Sequence, residues 1–160
     1  MSLLIEERED LEKKITILTK GNDVIRRIRK IPGVGEMVSA NIYATIGDVS
    51  RFPNARKLAS YAGLVPTVSQ SGGPAKLGHI TKEGSSELRA VMIQVAHIAS
   101  QPRTKNADEL RAYLERIRGS RGRRKIALTA LARYMLSIAY HLWRDGTEYD
   151  PERMRCNTIN

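Results

Sequence analysis

Within Gln70-Ser71-Gly72-Gly73, Ser71 carries a hydroxyl in a glycine-bearing segment that a large substrate can reach. A serine oxygen bonded to the phosphorus of a phosphodiester would form a phosphoserine link, which retains bond energy for rejoining. Its high pKa requires a base or a metal-bound oxygen to take the proton. Lys76, His79 and Lys82 follow closely and supply charge that would neutralise phosphate. On spacing alone Ser69 is no worse a candidate than Ser71, since Ser-Gly-Gly is ordinary loop sequence.

A second chemistry-bearing motif is Ile31-Pro32-Gly33-Val34-Gly35, preceded by Arg26, Arg27, Arg29 and Lys30. Gly33 and Gly35 bring backbone N–H groups to the start of a helix, where unpaired donors and the macrodipole favour a phosphate oxygen. With Arg26 and Arg27 beside it, such a hairpin can grip a DNA backbone without reading bases; the plainer alternative is a tight turn with a structural role. From Arg103 to Lys125, nine Lys or Arg stand against three Asp or Glu. Arg121, Arg123, Arg124 and Lys125 are the candidate phosphate ligands there, and a solvated loop between helices is the alternative.

Other chemistries have little support. His79, His97 and His141 are too scattered for a zinc site, and no acidic pair reads as a two-metal cluster. Walker, dinucleotide and zinc-finger patterns do not occur. The 160 residues carry 27 Lys and Arg against 17 Asp and Glu, a net charge of +10, which favours a polyanionic partner. Charge that serves only solubility is the alternative. The single cysteine, Cys156, lies in a polar tail and fits a reducing, cytoplasmic setting. The most apolar run, Ala90 to Ala99, falls well short of the roughly 20 residues that cross a bilayer. Met1-Ser2-Leu3 lead straight into helical sequence without signal-peptide character, so the chain reads as the later part of a longer protein with an added start.

The elements that must position these residues are mostly helical. Leu4, Leu11, Leu18 and Ile25 recur every seventh residue, predicting a coiled-coil or docking arm over 1–21; an amphipathic helix on the domain's own core is the alternative. Pro32 stops a basic helix beginning at Val24, and a second helix runs from about Glu36 to Ile46, making a helix-hairpin-helix over 24–47. Asn54 caps a helix through Ala62. The glycine-rich loop from Val65 to Ile80 is expected to hold short strands at Thr67-Val68 and His79-Ile80. Ser85 or Ser86 caps a core helix to about Ser100, Asn106 or Ala107 starts another ending at Gly119, and Ile126 to Trp143 form the last. Residues 151–160 are expected to be a loose tail. The fold class is mainly α, with a domain over 22–150.

Read in order, Ile31-Pro-Gly-Val-Gly35, Ile46-Gly-Asp48, Arg51-Phe-Pro53, Leu58-Ala-Ser-Tyr-Ala-Gly-Leu-Val-Pro66, Gln70-Ser-Gly72 and Lys82-Glu-Gly84 form one string. It resembles the C-terminal transposase domain of the DEDD-type insertion-sequence transposases, the bridge-RNA-guided recombinases. The resemblance covers about Ile25 to Asp150 and continues through Tyr113-Leu-Glu-Arg116, Lys125-Ile-Ala-Leu128 and Leu142-Trp-Arg-Asp-Gly146. It implies that Ser71 is the catalytic nucleophile and that Leu4 to Lys20 end a coiled-coil linker. It also implies an upstream RuvC-like domain whose four acidic residues bind a divalent metal, magnesium, and which this sequence lacks. DNA ends and target, a bridge RNA and further copies of the chain are the implied partners. No cofactor is expected in this portion, which by itself is expected to bind nucleic acid weakly and neither cut nor join it. A noncatalytic helix-hairpin-helix module and a coiled-coil assembly module are the rival readings.

Overall fold

The computed structural model describes residues 2–69, 76–119 and 123–152. In chain order these form α1 (Ser2–Thr19), α2 (Asp23–Ile28), α3 (Glu36–Ile46), a 3-10 turn (Val49–Arg51) and α4 (Ala55–Tyr61). Next come β1 (Pro66–Ser69), β2 (Lys76–Ile80), α5 (Ser86–Ala99), α6 (Asp108–Arg118) and α7 (Arg124–Arg144). The described residues are thus mainly helical, with one antiparallel hairpin. Thr67, Val68, His79 and Ile80 all lie within its strands.

The longest helix organises the rest. Ala127, Leu131, Ala132, Met135, Leu136, Ile138, Ala139 and Leu142 of α7 are buried, and the helix packs against α2, α4, α5 and α6. A helix apolar on nearly every side has to be surrounded by others. Truncating Leu131 or Met135, both fully buried, to alanine would cost about 2–5 kcal/mol through lost burial and the cavity left behind. Polar groups near the end of α7 tie it to the turn before α4. The Tyr140 hydroxyl donates to the Phe52 carbonyl at 2.9 Å, and Arg144 Nη1 donates to the Pro53 carbonyl at 2.7 Å and to the Tyr140 oxygen.

Helix starts follow local chemistry. Asn22 Oδ1 accepts from the N–H groups of Val24 and Ile25, Asn54 Oδ1 from Lys57, and Ser85 Oγ from Leu88. Each satisfies donors that the first helical turn leaves open, a contribution of about 1 kcal/mol. The basic helix ends at Ile28, because the N–H groups of Lys30 and Ile31 donate to carbonyls three residues back, Arg27 and Ile28, closing tighter turns that lead to Pro32. The last helix starts at Arg124, two residues before the apolar pattern begins.

The arm departs most from a simple amphipathic packing. Leu4, Leu11 and Leu18 are 71%, 59% and 83% exposed, whereas Ile25, next in the heptad series, is buried in α2. The arm meets α3, with Ile15 and Thr19 half-buried. The arm's share of the heptad stripe, Leu4, Leu11 and Leu18, therefore does not lie on the domain's own core. No described helix is long and apolar enough to cross a membrane.

Candidate hairpin site and nucleic-acid interface

The hairpin register pairs Pro66 with Ile80, Val68 with Leu77 and Ser69 with Lys76, with an irregularity between Pro66 and Val68. Ser69 and Lys76 end the ladder, and the chain joining them contains Ser71. Ser71 itself lies outside the described residues, as does Arg121.

The base of the hairpin is fastened to the end of α4 and the start of α5. Thr81 N–H donates to the Val65 carbonyl at 3.0 Å, Lys82 N–H to Gly63 at 3.3 Å, and Ser85 N–H to Tyr61 at 2.7 Å. Arg89 Nη1 donates to the Ala62 carbonyl at 3.1 Å. Two glycines permit this crossing. At Gly84, φ is +97°, and a Cβ would collide with the Tyr61 carbonyl; at Gly63, φ is +65°, and a Cβ would strike the Glu83 carbonyl and the Arg89 guanidinium. Neither conformation nor approach suits a side chain. Lys82 is exposed and itself takes a positive φ of 56° at the exit from β2. Lys76 begins β2.

The basic helix α2 is internally engaged. Glu148 Oε2 lies 2.7 Å from Lys30 Nζ, and its Oε1 lies 3.0 Å from Arg26 Nη1 and 3.8 Å from Arg27 Nε. The Lys30 hydrogen bond, helped by Arg26, holds the Glu148 carboxyl below the ordinary carboxylate range. Arg26 also reaches Asp23 at 3.3 Å. Nothing local in the sequence marks Glu148 as a partner of α2, since more than a hundred residues separate them.

The two motif glycines have different surroundings. Gly33, at φ +87°, sits against α5, where a Cβ would come within 3.2 Å of Ala99 N and the Val95 carbonyl. Gly35 is exposed, has open space around it and caps α3 without a side-chain bond. Arg29 pairs with Glu36 in the first turn of α3 at 3.7 Å.

Arg123, Arg124 and Lys125 are exposed at the start of α7 and form no ion pair with a described residue. Three cations at a helix N-terminus oppose the macrodipole, so an anion there would relieve both. Elsewhere in the basic stretch Arg111 pairs with Asp108 and Arg118 with Glu115. Among the described residues no group of His, Cys, Asp or Glu could hold a metal ion. His97 is exposed, and His141 pairs with Asp145 at 3.1 Å.

Several known proteins are similar to this chain. An insertion element IS110 protein of Streptomyces coelicolor is 35% identical over 91% of it, and the transposase for insertion element IS1111A of Coxiella burnetii is 31% identical over 83%. A pilin gene-inverting protein of Moraxella lacunata is 33% identical over 75%. The chain spans 35%, 36% and 37% of those relatives, about a third of their length. The model of the Transposase IS116/IS110/IS902 family matches residues 25–115, more than half of the chain and all of the pinned hairpin with the helices on either side. By that match the chain belongs to the IS116/IS110/IS902 transposase family.

Proposed function

We propose that this chain is the DNA-binding, catalytic C-terminal part of an insertion-sequence transposase, acting by strand exchange through a serine nucleophile. The observation that carries this reading is a hairpin anchored at its base within the family-matched region, with Ser71 in the connection between its strands. The backbone bonds at the hairpin base fix the two strands from which that connection leaves, and positioning of this kind lowers the entropy cost of bringing reacting groups together. The Ser71 oxygen forms the bond to phosphorus, a deoxyribose oxygen leaves with the proton, and the reverse step rejoins the strands. Lys76 and Lys82, at the two ends of β2 and its exit, supply charge for the phosphate.

Three further parts complete the reading. Helices α2 and α3 with the turn between them act as a helix-hairpin-helix, in which Gly35 offers the open backbone and Gly33 secures the turn against α5. Arg123, Arg124 and Lys125, with Arg121 before them, form the second phosphate contact, and Arg26 and Arg27 join when Glu148 gives way. The exposed stripe of α1 pairs with a second copy as a coiled coil. A RuvC-like region upstream in the full-length protein supplies four carboxylates for magnesium, and a bridge RNA selects the target.

The test uses the full-length protein with the element's RNA and labelled end DNA, assayed for a denaturant-resistant protein–DNA adduct. The parent is expected to form one and the Ser71→Ala variant none. An adduct that persists in Ser71→Ala would move the nucleophile elsewhere, and none in either protein would favour a noncatalytic helix-hairpin-helix module.

A further inference from the structure

A groove of about 530 Å³ opens between α4, the start of β1, α6 and α7, within the size range of small-ligand sites. Tyr113 from α6 and Tyr134 from α7 form part of its wall, their rings stacked on each other 4.5 Å apart at 10° with the Arg116 guanidinium 5.2 Å over Tyr113, so the pair meets the groove by its ring edges. Pro66 extends the apolar surface, while Arg56 and Ser60 from α4 and Arg133 from α7 add polar groups. Arg133 is half-buried and Arg56 exposed, and neither pairs with a described carboxylate. Ser60 Oγ is turned to the Arg56 carbonyl at 3.0 Å.

An aromatic and apolar wall flanked by two guanidinium groups that pair with no described carboxylate suits a ligand that is flat at one end and anionic at the other. Arginine forks match phosphate oxygens in pairs, and aromatic side chains take bases whose faces are not covered by neighbours. We infer that the groove holds one unpaired nucleotide, its base against the edges of the stacked Tyr113 and Tyr134 rings and the apolar surface of Pro66, its phosphate on Arg133, and Arg56 at the rim. A base within a duplex cannot enter without leaving its stack. This inference rests on the nucleic-acid reading above and deepens it. Pro66 is the first residue of β1, and the five residues from there to Ser71 span at most about 17 Å at the rise of a strand.

The experiment compares the 160-residue chain on a blunt duplex and on the same duplex carrying a short single-stranded extension with 2-aminopurine, made once as DNA and once as RNA. The extended duplex is expected to bind about tenfold tighter, as one stacked base allows, with quenching of the 2-aminopurine. Arg133→Gln and Tyr113→Leu are each expected to abolish most of that difference and to leave blunt-duplex affinity within about twofold. Arg56→Gln, a surface change, gives the same selective loss independently of any folding defect in the other two. The tighter of the DNA and RNA extensions identifies the source of the nucleotide, and preference for either supports the groove. Equal affinity for blunt and extended duplexes in the parent, or equal losses on both in the variants, would overturn the groove and leave the nucleic-acid reading standing. No binding to any of them would overturn both.

Discussion

The carboxylate of Glu148, bridging Arg26 and Lys30, occupies the place that a phosphate oxygen would take if α2 gripped a DNA backbone. Duplex binding through α2 must displace it, so Glu148→Gln should tighten binding to duplex DNA by about twofold to fivefold at low salt, an effect in keeping with exposed ion pairs. Titrations of the two proteins side by side would show it, and unchanged affinity would mean that α2 does not meet the duplex. A second residue-scale prediction concerns Tyr149, whose hydroxyl is buried without a hydrogen-bond partner among the described residues. Burial, reinforced by Tyr134, Glu109 and Asp150, pushes its pKa up to about 12 from 10.0. Between those values the unfolded chain gives up the proton while the folded chain keeps it, so stability falls as pH rises through that window. Tyr149→Phe removes the unpaired hydroxyl and should leave the fold at least as stable at neutral pH, with a shallower alkaline decline in thermal melts; an equally steep decline would assign it to other groups.

At the scale of elements, the hairpin depends on the crossing of backbones at its base. Gly84→Ala would force a Cβ against the Tyr61 carbonyl and hold alanine at a positive φ, costing about 1–3 kcal/mol. The melting temperature should drop by about 2–4 °C per kcal/mol, and adduct formation by the full-length protein should fall further, because the Ser71 loop would lose its anchorage. Wild-type adduct yield in Gly84→Ala would show that the hairpin needs no such fastening. Much of this framework was legible beforehand. Asn54 and Ser85 announce helix starts through donors they can satisfy, and Pro32 announces a stop, because these are local rules. The crossing of Gly63 and Gly84, the docking of Gly33 on α5 and the bridge from Glu148 to α2 join distant parts of the chain, and no local pattern encodes them. The stacked Tyr113 and Tyr134 escaped for the same reason, since they sit on two different helices.

At the scale of the whole molecule, two things act together: the charge of the chain and the share of its relatives that it spans. A chain of net charge +10 with Arg123, Arg124 and Lys125 exposed on one helix start should release counterions from DNA as it binds. Its affinity should then fall with salt at a logarithmic slope of about 0.9 per neutralised phosphate, and the Arg123→Ala, Arg124→Ala double variant should lower that slope by about two. Binding is nevertheless a different task from bond exchange. The proton of a serine hydroxyl needs an acceptor, and among the described residues no cluster of carboxylates could hold a metal to assist. The chain spans only about a third of its relatives, and the proposed magnesium carboxylates belong to the remainder. With magnesium and end DNA, the 160 residues alone should therefore shift the DNA in a gel yet yield neither nicked product nor covalent adduct. Supplying the upstream region should restore the adduct in a Ser71-dependent manner, whereas nicking by the short chain alone would place the whole catalytic apparatus within it.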